Sequence, residues 1–176
     1  LLGKAMAENR DDFILALYLG RYAGFRIHEC FRMDTAAAEQ ALRENALTVK
    51  GKGGKVRTVP IEDERIPMML RKLLAQTERG HKLLVPDGMP TDRAINALEL
   101  FIYRYRNEIC DEGSDRCLTF HGLRHTYAAE KYTRLTEDGM SAIDAHYAVS
   151  RLLGHERADV TNIYLASVRK RGRDGE

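Results

Sequence analysis

Residues 46 to 61, ALTVKGKGGKVRTVPI, interrupt a sequence otherwise patterned for helices, and this limits the fold more than any other stretch. Two runs with β-branched residues flank GKGG, whose glycines supply the positive φ angles that a tight strand connection demands, so an antiparallel hairpin is expected. On both sides apolar residues recur at helical spacing. Phe13, Ile14, Leu17 and Tyr18 predict an amphipathic helix ended by Gly20 or Gly24, and a short helix is expected from Arg26 through Arg32. Thr35 caps a helix of good formers, TAAAEQALRE. After the hairpin the pattern returns at Ile66, Met69, Leu70 and Leu73, and again behind a Thr91 cap at Ile95, Leu98, Ile102 and Tyr105. A helix starting near His121 follows, then one opened by Ser141 with Asp144 and closed by Gly154. The expected fold is mainly α with one small antiparallel β-sheet.

The 176 residues suffice for one well-filled core, so a single domain over 1–176 is expected. With 44% hydrophobic and 31% charged residues, the composition is that of a globular chain and excludes a disordered one. No apolar run approaches the ~18 residues of a membrane span, and no signal peptide is evident. Cys30, Cys110 and Cys117 lack the spacing of a zinc site or a disulfide framework, which fits a reduced cytoplasm. A net charge of +2 steers a polyanion weakly if spread evenly, so any nucleic-acid role must rest on local clustering.

The densest chemical signal is HGLRH, His121 to His125. On a helix His121, Arg124 and His125 share a face. A guanidinium that forks onto two phosphate oxygens beside an imidazole that exchanges protons near neutral pH suits a phosphate ester, although a solvated basic face has the same composition. Zinc fits poorly, because Gly122 stands where H-E-x-x-H needs glutamate and Arg124 would repel a cation. GKGGKVR does not satisfy the P-loop pattern either; what remains is a hairpin tip carrying Lys50, Lys52, Lys55 and Arg57, either solvated or laid along DNA.

LGHERADVTNIYL, Leu153 to Leu165, resembles the C-terminal signature of the tyrosine recombinases, in which the histidine of LGH precedes a tyrosine by nine residues, as His155 precedes Tyr164. AGFRIHE (23–29) is similar to the family's first arginine box, FHGLRHTYA (120–128) to its His-x-x-Arg box, and GKGGKVRTVP to its lysine hairpin. The motifs run in the family's order from about Phe13 to Leu165. The resemblance implies the DNA breaking-rejoining enzyme fold and a site-specific recombinase or integrase of a mobile element.

Carried onto this chain, the resemblance implies that Tyr164 attacks DNA, Arg26 and Arg124 clamp the scissile phosphate, and His121 takes the tyrosine's proton. It further implies that Lys52 protonates the leaving 5′-oxygen, His155 hydrogen-bonds a non-bridging oxygen, and Glu29 orients Arg26. Lys50, Lys55, Arg57 and His125 are expected to touch DNA. No metal, cofactor or ATP is implied, since fixed cations supply the charge stabilisation. The partners implied are double-stranded attachment sites, further copies in a tetramer on DNA (with the isolated domain monomeric), and an excisionase or other accessory protein. The location implied is the cytoplasm, on the nucleoid. The resemblance further implies an N-terminal core-binding clamp, expected to lie outside residues 1–176, so weak DNA binding by this stretch is expected. The basic tail, Arg169 to Arg173, is left open between a neighbouring subunit and phosphate.

The sequence departs from the family at GFRIHE, with Phe25 for the usual leucine and His28 where a small residue is usual; Phe25 is expected to face the core. Taken singly, Tyr164 reads as a packed tyrosine, His155 as a helix C-terminal histidine, Lys52 as a turn lysine and Arg26 as a surface partner of Glu29. Tyr127 and Tyr147 read as core residues. Two rival readings share the fold: a non-cleaving DNA-binding accessory module, and a topoisomerase that relaxes supercoils without sequence preference.

Overall fold

In the computed structural model the described residues are 1–51, 54, 56–109 and 118–154. The elements are α1 (Leu2–Ala7), α2 (Asp11–Tyr22), α3 (Ile27–Cys30), α4 (Thr35–Glu44), β1 (Ala46–Lys50), β2 (Val56–Pro60), α5 (Arg65–Leu74), α6 (Thr91–Ile109), α7 (Phe120–Glu137) and α8 (Ala142–Leu153). This is the mainly helical α+β architecture expected from the pattern.

Helix α2 is the centre of the packing and touches α1, α3, α5 and α7. It is not amphipathic as expected: every residue from Phe13 to Gly20 is buried, because neighbours cover it on all sides. Nor does it end at Gly20. Gly20 lies within the helix, and because a Cβ there would stand 2.9 Å from Cζ of Phe120, its bare backbone is what lets the start of α7 dock closely. The helix ends at Tyr22 with Ala23 as its C-cap, and Gly24, the other stop expected, turns the chain towards α3 with φ of 65°.

The hairpin forms with Leu47 opposite Val59, Thr48 opposite Thr58 and Val49 opposite Arg57. Alternation along each strand sends Leu47, Val49, Arg57 and Val59 inward and leaves Thr48, Lys50, Val56 and Thr58 outside. Ile66, Met69, Leu70 and Leu73 of α5 are buried as a stripe, as the spacing requires.

Several helix starts differ from expectation by one or two residues. Asp34, not Thr35, caps α4 by accepting from the Ala37 amide; Thr35 is buried, and its hydroxyl accepts from the Gly80 amide at 2.8 Å. Thr91 is the first residue of α6 and its hydroxyl accepts from Lys82 Nζ at 2.6 Å. Thr119 caps α7 through the Gly122 amide at 3.0 Å. Ser141 caps α8 as expected, accepting from the Asp144 amide at 3.1 Å, and Gly154 closes it with φ of 66°. Between α7 and α8 lies a small second core of Tyr127, Ala128, Val149 and Leu153. Tyr127 therefore packs as expected, but Tyr147 faces outward at 52% exposure.

Gly24 combines two demands, a positive φ and the Tyr127 ring 2.5 Å from where a Cβ would stand. Gly24→Ala is expected to lower unfolding free energy by about 2 kcal/mol or more, from the left-handed backbone and the clash together. Urea denaturation with an unchanged m-value checks it; a loss under about 0.5 kcal/mol contradicts it.

Candidate active site

The turn at Gly24 delivers Phe25 into the core at 1% exposure and leaves Arg26 as the N-cap of α3. A capping arginine has no side-chain oxygen to offer the helix amides; the partner is Glu29, whose Oε2 accepts from the Arg26 amide at 2.7 Å. Oε1 of the same carboxylate accepts from an Arg26 guanidinium nitrogen at 3.1 Å. Backbone and side chain of Arg26 are thus fixed by one carboxylate, the orienting arrangement expected for Glu29. The Arg26 side chain keeps 28% of its surface exposed.

Glu29 itself is held from the hairpin. Both terminal nitrogens of Arg57 donate to it, at 2.8 and 2.7 Å, a fork onto a carboxylate with no exposed surface. Burial alone would raise the Glu29 carboxyl, but the Arg57 hydrogen bonds and charge, with help from Arg26, outweigh it and bring the group to about 2. The expectation that Arg57 touches DNA is therefore corrected. Its side chain is only 7% exposed, because strand alternation points it inward with Val59. The guanidinium carbon lies 5.6 Å from the Phe25 ring centroid, and a Cβ on Gly154 would fall 3.0 Å from Arg57 Cδ. Hairpin, α3 and the end of α8 meet at this one side chain.

Arg124 lies behind Arg26 and is fully buried. It donates to the Gly24 carbonyl oxygen and, at 2.6 Å, to the Leu153 carbonyl oxygen, so it ties the α2–α3 turn to the last residue of α8. Of the two arginines, Arg26 is the one that offers surface. His121, in the first turn of α7, is exposed, and its ring stands edge-on to that of His125 at 4.8 Å between centroids. Burial, then the charges of Arg124 and Arg26, pull the His121 imidazole below its ordinary value. Both arginine charges are therefore felt at this ring, and at neutral pH it is an uncharged base able to accept a proton.

Burial pushes the nearby Tyr127 phenol up to about 12, which suits it to packing and not to nucleophilic attack. Lys50 is exposed at the end of β1. Lys52, Lys55, His155 and Tyr164 lie outside the described residues. Among the described residues no group of three or more His, Cys, Asp or Glu side chains could hold a metal ion, and no helix is long and apolar enough to cross a membrane. The structure therefore brings Arg26, Glu29, His121 and Arg124 into one region, and adds Arg57 as the residue that anchors Glu29 and, through it, Arg26. The alternation of VRTVP carried the signal for Arg57. A cleft of about 380 Å³ lined by Arg26, His28, Arg106 and His121 opens beside them, with nothing in the sequence pattern marking α6 as its wall.

Residues 4–171 match the model of the phage integrase family. The chain belongs to that family. Among curated members, it is 27% identical over 170 residues to tyrosine recombinase XerD of Pseudomonas putida, covering 93% of this chain and 51% of that protein. It is 32% identical over 159 residues to tyrosine recombinase XerD of Lacticaseibacillus casei, covering 88% and 50% respectively. The chain spans about half the length of the curated relatives it matches. Its fold is similar to the crystal structure of XerA recombinase, with a TM-score of 0.67 at 19% identity, covering 98% of this chain and 60% of that one. It is likewise similar to the Tn1549 transposon integrase in complex with circular intermediate DNA, with a TM-score of 0.57 at 19% identity over 87% of this chain and 53% of that one.

The Glu29 fork gives this family member a defined acid response. Because the folded carboxyl sits near 2 against an ordinary 4.5, its stabilisation is whole above pH 4.5 and is lost as pH falls towards 2. Arg57→Ala strands a buried carboxylate and is expected to cost about 3–5 kcal/mol at pH 7. In that variant burial dominates and favours the protonated acid, so its deficit against the unaltered protein should narrow between pH 7 and pH 3. Denaturant melts across that range check both points; a deficit that is small or independent of pH contradicts the arrangement.

Proposed function

We propose that this chain is the catalytic domain of a site-specific recombinase that cleaves and rejoins duplex DNA, in the integration or excision of a mobile element. The observation that carries the reading is that Arg26 and His121 line one cleft, with Arg26 held by a carboxylate that is itself locked by Arg57 and the buried Arg124 charge acting on the same imidazole. Fixed cations beside a neutral base are what a phosphodiester needs where charge builds on its oxygens in a five-coordinate transition state.

In this proposal the Tyr164 hydroxyl attacks the phosphorus while His121 accepts its proton. A phosphorus–tyrosine bond forms as the phosphorus–O5′ bond breaks, and Lys52 gives a proton to the departing 5′-oxygen. The product is a 3′-phosphotyrosyl link and a free 5′-hydroxyl, and attack by the 5′-hydroxyl of another strand reverses the step. One phosphodiester is exchanged for another, so the step is balanced without ATP. Arg26 meets the phosphate from the open side, and Arg124 adds its charge from behind, fixed by the Gly24 and Leu153 carbonyls. His155 donates to a non-bridging oxygen, and Lys50, Lys55 and His125 reach flanking DNA. In strand exchange the active species is a tetramer on paired sites, with the rest of a longer chain closing around the duplex.

A nicked suicide duplex, which loses its short 5′-hydroxyl strand after attack, tests the reading. A covalent adduct that survives denaturing gels is expected with Tyr164 present, falling at least about 1000-fold in Tyr164→Phe. No adduct with Tyr164 intact favours the accessory-module reading, and an adduct that persists in Tyr164→Phe assigns the nucleophile elsewhere.

A further inference from the structure

The cleft beside Arg26 and His121 is walled on its far side by α6, through Glu99, Ile102, Tyr103 and Arg106, and floored by Ile27, Leu118 and Phe120. Arg106 has an unusual position there. Its Nε is buried with no hydrogen-bond partner, and among the described residues its guanidinium makes no ion pair, although Glu99 and Glu108 lie on the same helix. Its plane is held instead against the Tyr103 ring, 4.1 Å from the centroid. Among the described residues the buried Nε is left without an acceptor, which a phosphate oxygen would supply.

His28 faces the same space. Burial lowers its imidazole from the ordinary value, the charge of Glu29 opposes this, and those of Arg32, Arg26 and Arg124 add to it. Among the described residues two guanidiniums, two imidazoles and the amino end of α7, capped by Thr119, thus border one cleft, together with the carboxylate of Glu99. The cleft is continuous with Arg26, so whatever sits there adjoins the phosphate held by Arg26.

We propose that this cleft is a second phosphate subsite, taking the DNA backbone phosphate next to the scissile one, with Arg106 and His28 as its ligands. The assignment rests on the recombinase reading and extends it to Arg106, outside the family's motifs, and to His28, to which the arginine box gave no role. Arg106 forks onto the phosphate oxygens, with Tyr103 keeping the guanidinium plane fixed, and neutral His28 donates one hydrogen bond. Glu99 bounds the cleft by repelling phosphate, which sets how far along the strand the backbone can sit.

Counterion release separates this site from general attraction. Fluorescence anisotropy of a labelled duplex is measured over a salt series for the unaltered chain, Arg106→Ala, Arg106→Lys, His28→Ala and Arg104→Ala. The last removes an equal charge from α6 where it pairs with Glu8 at 3.6 Å, away from the cleft. Thermal melts confirm that each variant folds. Arg106→Ala is expected to lower the slope of log K against log salt by about 1, equally on any sequence, while Arg104→Ala leaves it unchanged. Arg106→Lys should keep the slope but bind several-fold more weakly, since it loses the fork. His28→Ala should weaken binding several-fold with no change of slope, because a neutral ring displaces no counterion. Equal slopes for Arg106→Ala and the unaltered chain, or equal losses in the two alanine variants of α6, overturn the subsite. Salt-independent binding by the unaltered chain overturns the DNA reading itself.

Discussion

A carboxylate with no exposed surface, gripped by two guanidiniums, organises this molecule. Glu29 accepts both terminal nitrogens of Arg57 and, on the same two oxygens, the backbone and side chain of Arg26. A buried ion is tolerated only when its partners are complete, so the three side chains stand or fall together. Since Arg57 comes from β2, Glu29 from α3 and the contact at Gly154 from the end of α8, the pairing also sets where these elements meet. The proposed catalytic face is built outward from this ionic core, with Arg26 on its solvent side.

Arg124 supplies the second constraint. By donating to Gly24 and Leu153 carbonyls it joins the turn before Arg26 to the last residue of α8, two backbone points far apart in sequence. One arginine is thus half a substrate clamp in the proposed chemistry and a structural tie in the fold. A fully buried guanidinium with fixed acceptors does not reorient when charge develops nearby, which is the condition under which a permanent charge stabilises a transition state most. Burial first, and then the charges of Arg124 and Arg26, lower the His121 imidazole and favour its neutral form.

Much of this was legible in the sequence. The hairpin at GKGG, the α5 stripe, the Ser141 cap and the Gly154 stop each follow from local rules, and structure reproduces them. Arg26, Glu29, His121 and Arg124 were legible through their motifs. Arg57 was misread because charge was counted without strand alternation: the inward Val59 fixes Arg57 inward two residues earlier, whatever its polarity. Helix α2 was misread for the opposite reason, since an apolar stripe says which face must be buried and cannot say that neighbours cover the other faces too. The cleft was invisible, because Arg106 and His28 lie far apart along the chain and neither belongs to a periodic pattern.

The central claim is that Arg26, Arg124 and His121 form one cationic site that receives a backbone phosphate. The most direct measurement is an NMR titration of the His121 ring, in the chain alone and with a duplex added. The free ring should titrate below 6.5, move up when Arg26 is replaced by glutamine, and move up on adding DNA to the unaltered chain, as a phosphate comes to favour the imidazolium. A ring that titrates at or above 6.5 and responds neither to Arg26→Gln nor to DNA would contradict the account.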